Sequence, residues 1–230
     1  MTPHSVPENS RTNTMATTNK NKLKLAEARF MQRYPGGFSH PEMQEIGKKH
    51  RVGKMIDMAQ AEFAKNRFRD PETVSEAMVK MVSRSSLISL FEKPRFRDVV
   101  RTMAHSEKDI LASGLEEFLH GNQQQGFDAM TATLAQWKLA KWSLLTVIPN
   151  YYRPNDEVFV KPTTVKGVIR HFELKGLEYS PKPSWDFYRR FRDAVLDMKP
   201  KVDPLLAPSN AAFLGFLMMA FKEADAHEQR

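Results

Sequence analysis

The chain has 230 residues, 41% of them hydrophobic and 10% aromatic, enough apolar material for a packed core, which excludes wholesale disorder. Its 35 Lys and Arg outnumber 27 Asp and Glu, a formal charge of +8. No cysteine is present, which excludes a disulfide scaffold, thiolate metal sites and a cysteine nucleophile, and no apolar run approaches the roughly 18 residues needed to cross a bilayer.

Residues 1–19 are rich in Thr, Ser, Asn and Pro and carry almost no large apolar side chain. Such a segment buries too little surface to offset the entropy of ordering and reads as a disordered tail. Met15 offers an alternative start, which would leave residues 1–14 untranslated. The opening stretch lacks the apolar centre of a secretory signal, so cytoplasmic residence is expected.

A helical pattern begins at Asn21, with Leu23, Ala26, Phe30 and Met31 on one face, and Pro35-Gly36-Gly37 ends it. Ser39 is the expected cap of a second helix, with Pro41 and Glu42 in its first turn. Gly47 and Gly53 flank the basic run Lys48-Lys49-His50-Arg51, and Met55, Ile56, Ala59 and Phe63 continue at helical spacing. Asp70-Pro71-Glu72 combines a cap, a proline and an early acid, a strong helix start. Ser83 to Ser86 breaks that helix, and another resumes beyond Pro94 through Phe96, Val99, Val100 and Met103. Ser106 with Asp109 reads as a capping pair for a helix closed by Gly121.

Residues 122–148 read as one long or broken helix ended by Pro149. The segment 149–162 is a loop in which Val158-Phe159-Val160 is at most one short strand. Helices follow over Thr163–Glu173 and Trp185–Met198. Ser209 caps a last helix from Asn210 to about Ala224, whose centre is apolar almost all round, the pattern of a helix buried in the middle of a bundle. Alternating strand patterns and Asn-Gly or Asp-Gly hairpin signals are absent. The expected class is all-α, a single globular bundle of about eight to ten helices, organised as the tail 1–19, a helical part 20–148 and a second helical part 149–230 packed on it.

The charge is uneven. Residues 1–60 carry 10 Lys and Arg against 5 acids, and residues 161–201 again 10 against 5, while residues 61–160 balance at 13 each. Two basic blocks around a neutral middle form the footprint of a polyanion binder, although solvated surface charge gives the same count. Within the second block, Lys161 to Ser180 resembles the recognition helix and following strand of winged-helix DNA-binding proteins. The resemblance implies a small winged-helix-like part near 160–180 in which Lys161, Thr163, Thr164, Lys166 and Arg170 touch phosphates or base edges.

A wider segment, with Phe159, Lys161, Pro162 and Thr163 followed by Tyr179, Pro181, Pro183, Trp185 and Tyr188, resembles uncharacterised bacterial helical proteins. Those carry a Phe-x-Lys-Pro-Thr and Tyr-x-Pro-x-Pro-x-Trp segment and some occur in restriction or phage-defence settings. That resemblance implies a DNA-related setting and names no activity.

Catalytic signatures are thin. Asp156 with Glu173-Leu174-Lys175 imitates the acid and Glu-x-Lys spacing of metal-dependent nucleases. None of the seven His falls at a ligand spacing, and phosphate-loop, dinucleotide and serine-elbow motifs are missing. Neither a metal nor a cofactor is expected. Arg189, Arg190 and Arg192 surround the aromatic stripe Phe187, Tyr188 and Phe191 and join the basic surface with Lys48, Lys49 and Arg51. The expectation is a non-catalytic nucleic-acid-binding protein, DNA ahead of RNA, whose two basic blocks converge. The alternatives are a helical interaction subunit with an acidic protein partner, and a metal-dependent nuclease. No membrane association is expected, and the oligomeric state is left open.

Overall fold

The computed structural model describes residues 20–228, with side chains to residue 226; the expected tail and Met15 lie outside the described residues. Among the described residues eleven α-helices succeed one another: α1 (Lys20–Arg33), α2 (Pro41–Lys49), α3 (Val52–Glu62), α4 (Pro71–Arg84), α5 (Glu92–Thr102), α6 (His105–His120), α7 (Gln123–Gln136), α8 (Trp142–Tyr152), α9 (Pro162–His171), α10 (Trp185–Met198) and α11 (Asn210–Glu228). The fold is all-α: no strand occurs among the described residues. Val158 to Val160 is buried and forms no strand, and the segment after α9 is irregular, so no wing follows that helix.

Local chemistry fixes most boundaries. Asp70 caps α4, accepting from Glu72 N–H at 3.4 Å and Thr73 N–H at 3.0 Å, which satisfies donors that have no partner within the helix. Ser209 Oγ accepts from Ala212 N–H at 3.1 Å at the start of α11. Two caps differ from the sequence expectation. The α2 cap is His40, one residue beyond Ser39, and its ring accepts from Glu42 N–H at 3.3 Å. At α6 the reciprocal contact comes from Glu107, whose carboxylate accepts from Ala104 N–H at 2.9 Å, so Ser106 already lies in the first turn.

Residues 122–148 form two helices, broken at Lys138 with φ 56°. Pro149 does not end α8, which runs on through Asn150, Tyr151 and Tyr152. Every residue of α8 from Leu144 to Tyr151 is buried, and that packing offsets the hydrogen bond the proline removes.

The buried side chains form one contiguous core. α6 and α7 lie back to back through glycines: an added Cβ at Gly126 would stand 2.3 Å from Phe118 N and 2.4 Å from Gly114 O. This approach brings Phe118, Phe127 and Tyr188 within 5.6–5.9 Å of one another, and Trp185 and Trp142 extend the aromatic cluster. α11 is held on two sides, by Phe30 of α1 against Phe216 at 5.3 Å and by α9, where Gly167 gives room for the Phe221 ring.

A buried polar knot ties the 153–160 loop to α7 and α10. Glu157 is 1% exposed. Its carboxylate accepts from Gln123 Nε2 at 2.6 Å, Tyr188 Oη at 2.7 Å and Arg192 at 3.1 Å, and its backbone carbonyl accepts from Asn210 Nδ2 at 3.0 Å. Burial pushes the Tyr188 phenol well above the ordinary tyrosine value, and the Glu157 charge and the bond donated to it add to the shift. An unfolded tyrosine begins to lose its proton near pH 10, whereas folded Tyr188 retains it. The unfolded state then binds fewer protons, so this contribution to stability is complete below about pH 10 and is lost as pH rises beyond it. Urea midpoints measured between about pH 8 and pH 11 should fall with pH, and Tyr188→Phe should make that fall shallower. An equal slope in the variant would refute the assignment.

Candidate binding cleft

A cleft of about 940 Å³ opens between the α2–α3 hairpin and α11, with the end of α8 at its base. The hairpin follows from its sequence. α2 ends at Lys49, His50 N–H still bonds Ile46 O at 3.0 Å, and Arg51 turns the chain with φ 52° before Val52 starts α3. The His50 ring lies 2.8 Å from Ser86 Oγ, tethering the turn to the segment between α4 and α5. The facing wall is the stripe Ala211, Gly215, Met218 and Met219 of α11.

The cleft interior is mostly aliphatic, with Met43, Ile46, Ile56 and Leu87 opposite the two methionines of α11 and the Phe38 and Tyr151 rings also on its lining. Its rim is cationic: Lys48, Arg51 and Lys54 line it, and none of its described lining residues is Asp or Glu. The nearest acid along α2, Glu45, pairs with Lys48 at 2.7 Å, but both side chains are about seven-tenths exposed, and an i,i+3 pair of that kind is weak and easily exchanged.

At the base, Tyr151 Oη lies 3.2 Å from Ser85 Oγ, and burial raises the phenol above its ordinary value. Beside it, Asn150 is 1% exposed and its Oδ1 has no hydrogen-bond partner. A buried acceptor left unpaired costs about 1–3 kcal/mol. Asn150→Leu should therefore raise the unfolding free energy by about 1 kcal/mol, read from the urea midpoint, and a loss of stability would show that the amide serves the fold.

The cations singled out in the sequence fall in three places. Lys48 and Arg51 line the cleft and Lys49 is exposed beside them. On α9, Lys161, Thr163 and Lys166 are exposed, Lys166 Nζ lies 5.0 Å from the Tyr179 ring centre, Thr164 is buried, and Arg170 bonds Asp225 at 2.7 Å and 2.9 Å. On α10, Arg189 lies between Asp186 at 3.6 Å and Asp193 at 3.4 Å, Arg190 reaches Asp186 at 3.5 Å and bonds the Gly176 carbonyl, and Arg192 is drawn inward to Glu157. Arg192 is thus neutralised by a buried carboxylate, while Arg170, Arg189 and Arg190 make exposed pairs of the same weak kind as Lys48.

At about 100° per residue, Phe221 lies roughly 105° and Asp225 roughly 65° around the α11 axis from the middle of the cleft-facing stripe, and these two residues meet α9. No group of three or more potential metal ligands comes together among the described residues, and Glu173 pairs with Lys22 at 2.6 Å. No helix among the described residues is long and apolar enough to cross a membrane.

Lys54, Asn150, Gly215, Met218 and Met219 were not picked out as site residues from the sequence. The signal for the three on α11 was that helix's all-round apolar pattern, which has two readings: complete burial, or a face left open for a partner; Lys54 and Asn150 carried no such signal. The chain matches no family model, no curated protein and no solved structure.

Proposed function

We propose that this is a non-catalytic binding protein whose working surface is the cleft between α2–α3 and α11 and whose partner is an acidic protein. One observation carries the reading: a mostly aliphatic cleft of about 940 Å³ with three cations and no carboxylate among its described lining residues. Apolar burial would supply most of the affinity, and the cationic rim would select acidic partners and speed their encounter.

Binding of Glu- and Asp-rich amphipathic peptides, followed by fluorescence anisotropy, should weaken as salt rises. It should also weaken at least about tenfold when Lys48, Arg51 and Lys54 are all changed to Glu, as reversal of three rim charges warrants. Equal binding by the triple variant would refute the reading.

A nucleic-acid role, DNA ahead of RNA, is the second reading. Lys49, Arg51, Lys54 and Lys161 favour it, because none makes an ion pair within 4.0 Å among the described residues. It agrees with the DNA-related or defence setting that the segment resemblance implies, in the bacterial cytoplasm. Its signature is a log–log salt dependence of duplex binding with a slope of about −0.9 per phosphate neutralised. Duplex that fails to bind even at low salt would remove it.

A further inference from the structure

We infer that the occupant of the cleft is a short amphipathic α-helix. Its apolar stripe lies between α3 and α11, its acidic flank meets Lys48, Arg51 and Lys54, and one hydrogen-bond donor reaches Asn150. This deepens the acidic-partner reading and rests on it.

The lining chemistry separates this occupant from others. Single-stranded nucleic acid is held by exposed aromatic platforms, whereas the apolar lining here is mostly aliphatic: Phe38 is partly buried against the core, Tyr151 at the base is only 3% exposed, and the one other aromatic ring, His50, is tied to Ser86. An extended peptide is captured by adding to a sheet edge, and no strand exists among the described residues. A helix in a groove needs instead a trough walled by helices, with adaptable apolar side chains along it. The cleft provides this: Met43 stands on one wall and Met218 and Met219 on the other, and unbranched thioether side chains repack readily around a partner's anchors.

Space for such a backbone is present on both walls. An added Cβ at Gly47 or Gly53 would meet nothing within 4 Å, and at Gly215 only Phe38 Cζ at 3.9 Å. A volume of about 940 Å³ lies at the top of the range for small-molecule sites, and the side chains at i, i+3 or i+4, and i+7 of one helix face would enter together. Ile46 is 46% exposed on the free molecule and offers the first apolar contact at the rim. The partnerless Oδ1 of Asn150 supplies a polar fix within a mostly apolar base, suited to an indole N–H, a hydroxyl or a side-chain amide.

The test uses the full chain labelled with ¹³C at the methionine methyls, so that Met43, Met218 and Met219 report from inside the cleft. The probes are a stapled helical peptide of about five turns, roughly 18 residues, with a Leu stripe, one Trp and Glu elsewhere; its scrambled isomer; its Lys-for-Glu counterpart; a duplex DNA; and sodium oleate. The striped acidic peptide should shift the three methyls, and the scrambled and lysine peptides should not. Gly215→Leu, which fills the trough from a position with room for its Cβ, should weaken the striped peptide at least about tenfold while the circular-dichroism melt confirms a folded chain.

Equal binding by the scrambled acidic peptide would overturn the helix inference and leave the acidic-partner reading standing. Methyl shifts with oleate but not with peptide would replace the helix by an anionic amphiphile. Duplex binding with no response to any acidic peptide would overturn both, as would silence from every probe.

Discussion

Glu157→Ala is expected to lower the unfolding free energy by about 3–5 kcal/mol, the usual cost of removing one partner from a buried ion pair. The Glu157 side chain is 2% exposed and that of Arg192 14%, so deleting the carboxylate strands the guanidinium where water reaches it poorly. The same deletion takes away the acceptor of the Tyr188 hydroxyl and of Gln123 Nε2. Urea denaturation followed by circular dichroism measures the change, and a loss below about 1 kcal/mol would mean that water replaces the carboxylate at no great cost. The double variant Glu157→Leu/Arg192→Leu should recover part of the loss, because two apolar groups leave no uncompensated charge. Arg192 is thereby assigned to the stability of the fold, in contrast to its expected place on a basic surface.

Gly126→Ala should be as damaging through a different mechanism. The new methyl would meet Phe118 N, Gly114 O and Glu117 C at 2.3–2.9 Å, all of them backbone atoms that no rotamer change can move. α6 and α7 would have to part, loosening Phe118 and Phe127 from the aromatic cluster. A loss of about 3 kcal/mol or more is expected, at the upper end for overpacked sites. Gly53→Ala on α3 is the control. Its Cβ would meet nothing, and relief of glycine's unfolded-state entropy should stabilise the chain by about 0.4–1 kcal/mol. Equal midpoints for the two variants would contradict the close crossing of α6 and α7.

The all-α class and most helix boundaries were legible in the sequence because local rules dominate there. Asp70-Pro71-Glu72, Ser209 and the Pro35-Gly36-Gly37 stop each act within a turn of chain, and the structure places them as their chemistry requires. Pro149 was misread because its local rule yields to burial, which depends on residues distant in sequence. Ser39 and Ser106 were misread because an imidazole and a glutamate one residue away do the capping.

The site was legible in part. Lys48 and Arg51 could be seen as a charge run, but composition cannot show that Asp186, Asp193, Asp225 and Glu157 return to pair with the arginines of the second block. Those pairings include contacts spanning 35 and 55 residues, beyond any helical periodicity. The cleft was hidden for a related reason. An apolar stripe on α11 looks the same in sequence whether another helix covers it or a partner does.

Because α1, α9 and the cleft share α11, an occupant would do more than fill a trough. Its binding free energy would oppose detachment of the helix on which the two flanking elements rest. Amide protons of α1, α9 and α11 should then exchange with solvent more slowly in step with ligand concentration, making the last helix a reporter of occupancy for a whole flank of the molecule.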